Sequence, residues 1–254
     1  MSAVLGVIPA RLGSERLPRK PLQPIAGRPL IEWVWRRVAS FSVLDHVVVA
    51  TDSEEVLSVC QELGAETVLT AASHGSGTER VAEVASMPAY RSYDIILNVQ
   101  GDEPFITEAQ VSGAVTAVRE GWDVGTVGAP VETLEAWKDP SVVKVVRNAG
   151  GGALYFSRAS IPFVRGREPT AAELASGTCL RHIGVYAYTR EALSRWVAAP
   201  ASPLEELERL EQLRALETGL AIGVAVVDAA EGGIDTPADV ERAEKRLQQE
   251  GDAI

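Results

Sequence analysis

Two kinds of residue in this chain could handle a phosphorylated ligand: a cluster of cations and a pair of distant aspartates. The stretch VIPARLGSERLPRKPL, from Val7 to Leu22, contains Arg11, Arg16, Arg19 and Lys20, with Glu15 its one acid. Guanidinium forks and an ammonium suit phosphate oxygens. The stretch is neither a GxxxxGK[ST] phosphate loop nor a GxGxxG dinucleotide fingerprint. A solvated charged loop is the competing reading. It is weakened by the apolar run just before the cations and by the net charge of −11 on the chain as a whole.

Asp102 lies in VQGDEP and Asp235 in IDTPAD. Mg²⁺ takes one or two carboxylates and completes its shell with phosphate oxygens and water, so such a pair could hold it. Each aspartate could equally serve a turn or a helix start. HGSGTER, His74 to Arg80, offers backbone N–H groups and Ser76 to a base edge or an anion, or simply caps a helix. Arg158, Arg181, His182 and Tyr186 form a third group that could recognise a carboxylate and hydroxyls. His182 and Tyr186 are an even number of residues apart and fall on one face of a strand; a structural histidine is the alternative.

The elements that must position these residues follow from the apolar pattern. Strands are predicted at Ala3–Pro9, His46–Ala50, Glu66–Leu69 and Asp94–Val99. Helices are predicted at Pro29–Ser40, Glu54–Leu63, Thr78–Ala85 and Glu108–Glu120. The alternation implies an α/β fold, a mostly parallel sheet with helices on both faces. In such sheets ligands bind beyond the carboxyl ends of the strands, where Arg11, Thr51-Asp52, Gln100-Gly-Asp102 and, after the last strand, Asp235 are expected. Val142–Arg147 and Ala153–Phe156, joined by the glycine-rich Asn148–Gly152, read as an antiparallel insertion. Val164–Ser176 reads as a surface excursion and Gly184–Tyr188 as a returning strand. Ser202-Pro-Leu-Glu205 is a capping box for one helix running to about Glu217. Ile222–Val227 is the last strand, and Thr236-Pro-Ala-Asp239 caps a final helix. The 254 residues are expected to form one domain, with 141–190 as an antiparallel subdomain.

The acidic charge argues against general nucleic-acid binding, and no apolar run is long enough to span a bilayer. The N-terminus lacks the pattern of a signal peptide. Cys60 and Cys179 show no metal-ligand spacing and read as reduced, incidental thiols of a cytoplasmic protein.

VIPARLGSERLPRKPL, HGSGTER, NVQGDEPFI, ALYFSRASIP, LRHIGVYAY, SPLEELERLEQLR and IDTPADVE occur in this order. Together they closely resemble the 3-deoxy-manno-octulosonate (Kdo) cytidylyltransferases over nearly the whole chain. The resemblance implies a Rossmann-like nucleotidyltransferase fold, the nucleotide-diphospho-sugar transferase type, in a homodimer. It implies transfer of CMP from CTP to the anomeric hydroxyl of Kdo with Mg²⁺, for lipopolysaccharide. Carried over by motif, Arg11, Arg16 and Lys20 hold the triphosphate; Ser76, Gly77 and Arg80 lie near the nucleotide; Gln100 contacts nucleotide or sugar. Asp102 and Asp235 hold the metal and, with Arg11 and Lys20, form the catalytic set. Arg158, His182, Tyr186, Glu211 and Gln212 surround the sugar acid. The antiparallel region near Val142–Tyr188 would build the dimer interface. The chain departs from the family's RLPGKPL at Arg19. A cytidylyltransferase for 8-amino-Kdo or a sialic acid, and a non-catalytic nucleotide-binding regulator, are the other readings.

Overall fold

The first strand, β1 (Val4–Pro9), is an apolar run whose Val4, Leu5, Val7 and Ile8 are fully inaccessible, as expected of a strand covered on both faces. A computed structural model describes residues 2–13, 17–228 and 232–250. In it the chain folds as two compact units, Met1–Glu108 with Glu231–Ile254, and Ala109–Ala230.

In the first unit β1 is followed by a two-stranded antiparallel ribbon, β2 (Pro24–Ile25) and β3 (Arg28–Pro29), and then by α1 (Leu30–Ala39). Pro29 was expected in the first helical turn but stands one position earlier, as the extended N-cap. The chain continues through β4 (His46–Thr51), α2 (Glu54–Glu62), β5 (Thr67–Leu69), α3 (Gly77–Ser86) and β6 (Ile95–Asn98). The strands β1, β4, β5 and β6 are parallel, with β1 between β4 and β6, and the short β5 beyond β4. The chain therefore steps outward from β1 to β5 and returns across the sheet to β6. Right-handed crossovers then place α1 and α2 on one face and α3 on the other. The reversal between β1 and β6 is a topological switch point, where a crevice opens at the carboxyl ends.

In the second unit α4 (Glu108–Arg119, from Ala109 on) leads into β7 (Val124–Pro130). β7, VGTVGAP, is a strand not anticipated from the sequence; glycine lowers strand propensity. The reason for Gly125 is packing: a Cβ there would collide with the carbonyl of Ala114 in α4. Next come α5 (Leu134–Lys138), β8 (Lys144–Arg147), β9 (Ala153–Ser157), α6 (Ala171–Ala175), β10 (Leu180–Thr189) and α7 (Arg190–Ala198). The unit ends with α8 (Pro203–Glu208), α9 (Gln212–Glu217) and β11 (Ile222–Val226).

β11 runs parallel to β7, and β10 runs antiparallel to it, with a register shift between Ile183 and Tyr186. The expected antiparallel region is present: β8 and β9 form a hairpin, and β8 pairs with β10. The excursion at 164–176 is more ordered than its polarity suggested. Thr170 and Glu173 form a capping box for α6, whose Leu174 packs with Val131, Trp137 and Cys179.

The single helix expected from Ser202 to Glu217 is instead two. The Ser202 capping box is formed, but Arg209 takes a left-handed conformation, φ 54°. Arg158 accounts for the break: its Nε donates to the Glu208 carbonyl at 2.7 Å and its Nη2 to the Arg209 carbonyl at 3.3 Å. Those oxygens would otherwise accept helical bonds. The last helix, α10 (Pro237–Glu250), belongs to the first unit and starts as expected, with Thr236 and Asp239 bonded reciprocally.

Candidate active site

Lys20 opens a short 3₁₀ turn after the basic stretch, and its Nζ donates to both Asp102 and Asp235, at 2.8 Å for the latter. Asp102 stands in the turn after β6, and Asp235 just before α10. The backbone joins these places directly: the N–H of Ile234 donates to the carbonyl of Asp102 at 2.9 Å. Burial alone would lower the Lys20 pKa, but the Coulombic pull of Asp102 and hydrogen bonds to both carboxylates raise it. The ammonium stays charged at any ordinary pH.

Gly101 explains how the turn can come so close. A Cβ on it would lie 2.7 Å from the carbonyl oxygen of Pro9, a contact side chains do not make. The ends of β1 and β6 therefore meet backbone to backbone. At the same end, the position of a Cβ on Gly77 falls 3.3 Å from Pro9 Cγ and 3.7 Å from the side-chain oxygen of Gln100. Ser76 caps α3 by accepting from the N–H of Glu79. The structure thus brings together Lys20, Asp102, Asp235, Gln100 and the N-terminus of α3.

Arg11 follows β1 and is exposed. Arg16 lies outside the described residues. Arg80 is almost wholly buried, donating to Asp52 at 2.8 Å and to Thr70; it braces the start of α3 from within. Glu79 and Glu83, not anticipated as functional, hold the HGS loop. Glu83 accepts from the Ala71 N–H at 2.9 Å and contacts His74, and Glu79 accepts from the Gly75 N–H at 2.7 Å. Their i, i+4 spacing on one helix face was the available signal.

The second unit carries the other set. The rings of His182 and Tyr186 lie 5.3 Å apart, so the two do share a face. Burial pulls the His182 pKa down to about 3, and the ring is neutral. Its Nε2 lies 3.0 Å from the Thr126 hydroxyl, which itself donates to the Val185 carbonyl at 2.8 Å. The hydroxyl is therefore the acceptor and Nε2 carries the proton. Burial, then Tyr188 and Glu211, push the Tyr186 phenol far above its usual range. Gln212 is buried. Arg158 donates to the carbonyls of Pro140, Glu208 and Arg209.

The two aspartates pass a simple test for a divalent cation: both reach one ammonium, so a cation in that place would meet both. Among the described residues no cluster of three or more His, Cys, Asp or Glu could hold a metal. A cation at the pair would complete its shell with substrate oxygens and water, as Mg²⁺ does.

A parallel sheet with a lysine, two carboxylates and a helix N-terminus at its switch point is an arrangement suited to a Rossmann-like nucleotidyltransferase. The family model described as Cytidylyltransferase matches residues 5–222. The chain is 52% identical to the 3-deoxy-manno-octulosonate cytidylyltransferase of Gemmatimonas aurantiaca, covering 94% of this chain and 92% of that protein. It is 43% identical to that of Syntrophotalea carbinolica, over 97% and 99%. The solved structure of a CMP:2-keto-3-deoxy-manno-octonic acid synthetase complexed with CTP superposes with a TM-score of 0.89 at 38% identity, over 98% of this chain and all of the other. A 4-diphosphocytidyl-2C-methyl-D-erythritol synthase from Anaerococcus prevotii, at 12% identity and a TM-score of 0.65, over 97% and 99%, shares the fold alone. The chain belongs to the cytidylyltransferase family, and within it to the 3-deoxy-manno-octulosonate cytidylyltransferases.

Proposed function

We propose that this protein transfers CMP from CTP to the anomeric hydroxyl of Kdo, releasing pyrophosphate and making CMP-Kdo for lipopolysaccharide. The observation that carries this reading is the convergence of Lys20, Asp102 and Asp235 at the switch point of a chain 52% identical to a Kdo cytidylyltransferase. Arg11, Arg16 and Lys20 bind the triphosphate. The α3 N-terminus, with Ser76 and Gly77, and Gln100 meet the nucleotide. Asp102 and Asp235 hold Mg²⁺, which when bound supplies charge neutralisation at phosphate oxygens.

No covalent enzyme intermediate is needed. The anomeric oxygen forms a bond to the α-phosphorus, the bond from that phosphorus to pyrophosphate breaks, and the hydroxyl proton is released to water. Catalysis is positioning and charge stabilisation. Without nucleotide, the Lys20 ammonium lies against the two carboxylates; with it, the same ammonium turns to the phosphates. In the second unit, His182 donates no charge but fixes the surface around Tyr186, Glu211 and Gln212 that receives the sugar acid.

The homodimer is part of this proposal. Leu154, Phe163 and Leu207 of the second unit are large apolar side chains left exposed, and a second copy would cover them. So is the cytoplasm, which suits two buried, unpaired thiols. No helix among the described residues is long and apolar enough to cross a membrane.

The test is pyrophosphate release from CTP with Mg²⁺ and Kdo, run beside 8-amino-Kdo and a sialic acid. Release that depends on Kdo supports the reading. Nucleotide binding without release sinks it, and faster release with either analogue reassigns the substrate. Sedimentation as a monomer at micromolar concentration removes the dimer.

A further inference from the structure

Lys144 is wholly inaccessible to solvent and is used by none of the steps above. Its ammonium donates to three backbone carbonyls: Asp139 at 2.8 Å, Val142 at 2.6 Å and Arg158 at 2.7 Å. An ammonium has three N–H groups, and each is matched. Among the described residues no carboxylate hydrogen-bonds this ammonium, but those of Asp139 and Glu208 lie near enough to favour its charge; the Asp139 side chain accepts from the N–H and hydroxyl of Ser141. A buried charge is costly unless fully hydrogen-bonded. An apolar residue of the same length would leave three carbonyls without donors.

The cage joins segments that carry the sugar-acid set. The loop 139–142 is tied to the end of β9 at Arg158. Arg158 in turn reaches back to the Pro140 carbonyl at 3.1 Å and forward to the Glu208 and Arg209 carbonyls. Glu208 closes the grip, accepting from the Ser157 hydroxyl at 2.6 Å and the Arg158 N–H at 2.9 Å. This grip turns the chain at Arg209 and delivers Glu211 and Gln212 to the start of α9. On its own strand, Lys144 pairs with Arg181, the residue before His182.

We propose that Lys144 is a positioning residue for sugar-acid recognition, acting through Arg158 on Glu211 and Gln212 and through β10 on His182. The proposal rests on the sugar-acid reading above. A lysine does here what a bound monovalent cation in a carbonyl cage would do, with its place set by the chain.

The experiment measures KM for Kdo, and CTP affinity by calorimetry, in Lys144→Met and Lys144→Gln. Glutamine keeps two N–H donors without the charge, and gives the same comparison if the methionine variant does not fold. Displacing a substrate-positioning group by about an ångström costs roughly a hundredfold. The expected result is a fall of that order in kcat/KM for Kdo in Lys144→Met, seen mainly as a raised KM, a smaller fall in Lys144→Gln, and CTP affinity kept within about twofold. Lys144→Ala assayed in ammonium chloride should regain Kdo affinity relative to sodium chloride, as ammonium fills the cage. An unchanged KM for Kdo in a folded variant, or equal loss of CTP and Kdo affinity, overturns the role of Lys144 alone. An unmutated chain that releases no pyrophosphate from CTP and Kdo overturns the sugar-acid reading, and Lys144 with it.

Discussion

Asp102 and Asp235 lie far apart in the sequence yet meet one ammonium, that of Lys20. Two like charges this close repel unless a cation lies between them. If Mg²⁺ binds at this pair, as proposed, lysine and the divalent cation compete for one place. Lys20→Met should bind Mg²⁺ more tightly in the absence of CTP, while turning over more slowly because the triphosphate has lost a cation. Titration calorimetry with Mg²⁺ alone checks the first part. Unchanged or weaker Mg²⁺ binding in a folded Lys20→Met would remove the shared site.

Asp102→Asn keeps the shape of the side chain and one acceptor for Lys20 but loses the charge. Removing one charge stabiliser at a phosphoryl centre should cost roughly a hundred- to a thousandfold in rate, by analogy with an oxyanion donor. Thermal unfolding should change little, since Asp102 is partly exposed. Near-normal pyrophosphate release from this variant sinks the metal assignment.

Gly101→Ala tests the backbone contact behind the site. The added Cβ would lie 2.7 Å from the Pro9 carbonyl, so the turn must shift and carry Asp102 with it. A displacement near an ångström costs about a hundredfold in turnover. The expected signature is a turnover loss much larger than the change in melting temperature. Wild-type turnover would show that the strand ends part without moving the carboxylate.

Much of this was legible in the sequence. The parallel half was, because its strands are uninterrupted apolar runs and its helices carry caps such as Ser53 and Ser76. Asp102 was, because it comes just after the apolar run of β6; Asp235, nine residues beyond the end of β11, is not placed by that rule. β7 was not, since Gly125 admits α4 and Gly128 lies close against β10 and β8, and in the sequence both look like breakers. The split of the helix after Ser202 was not, since its cause is Arg158, far away in sequence. Lys144 was not, because a single lysine in an apolar strand carries no sign of the carbonyls that will surround it.

Arg19 occupies the position where the family motif has glycine, and it is left-handed, φ 57°. Its side chain pairs with Glu55 at the surface. A non-glycine residue pays about 1 kcal/mol for this conformation, and an exposed pair returns at most about that much. The usual order of helix and turn substitutions should therefore reverse. Arg19→Gly is expected to be more stable than Arg19→Ala by about 1 kcal/mol, measured by urea unfolding. Alanine equal to or better than glycine would show that the turn relaxes out of the left-handed region.

His182 gives the second unit an acid sensitivity of defined sign. Its folded pKa is about 3 against 6.5 for the free side chain, so the unfolded chain takes the proton first. Stability is complete above pH 6.5 and falls as pH drops from there toward 3, by up to about 1.4 kcal/mol per unit. Between pH 7 and pH 4 the histidine alone should account for a loss of about 3 kcal/mol. Other carboxylates act in the same range, so the measurement is a difference. Urea unfolding of the unmutated chain and of His182→Gln, each at pH 7 and pH 4, isolates the histidine. Glutamine can still donate to Thr126 but cannot titrate. The variant should lose about 3 kcal/mol less than the unmutated chain over that interval. Equal losses in the two proteins would mean that His182 is already solvated, and that the surface around Tyr186 is open before any sugar acid arrives.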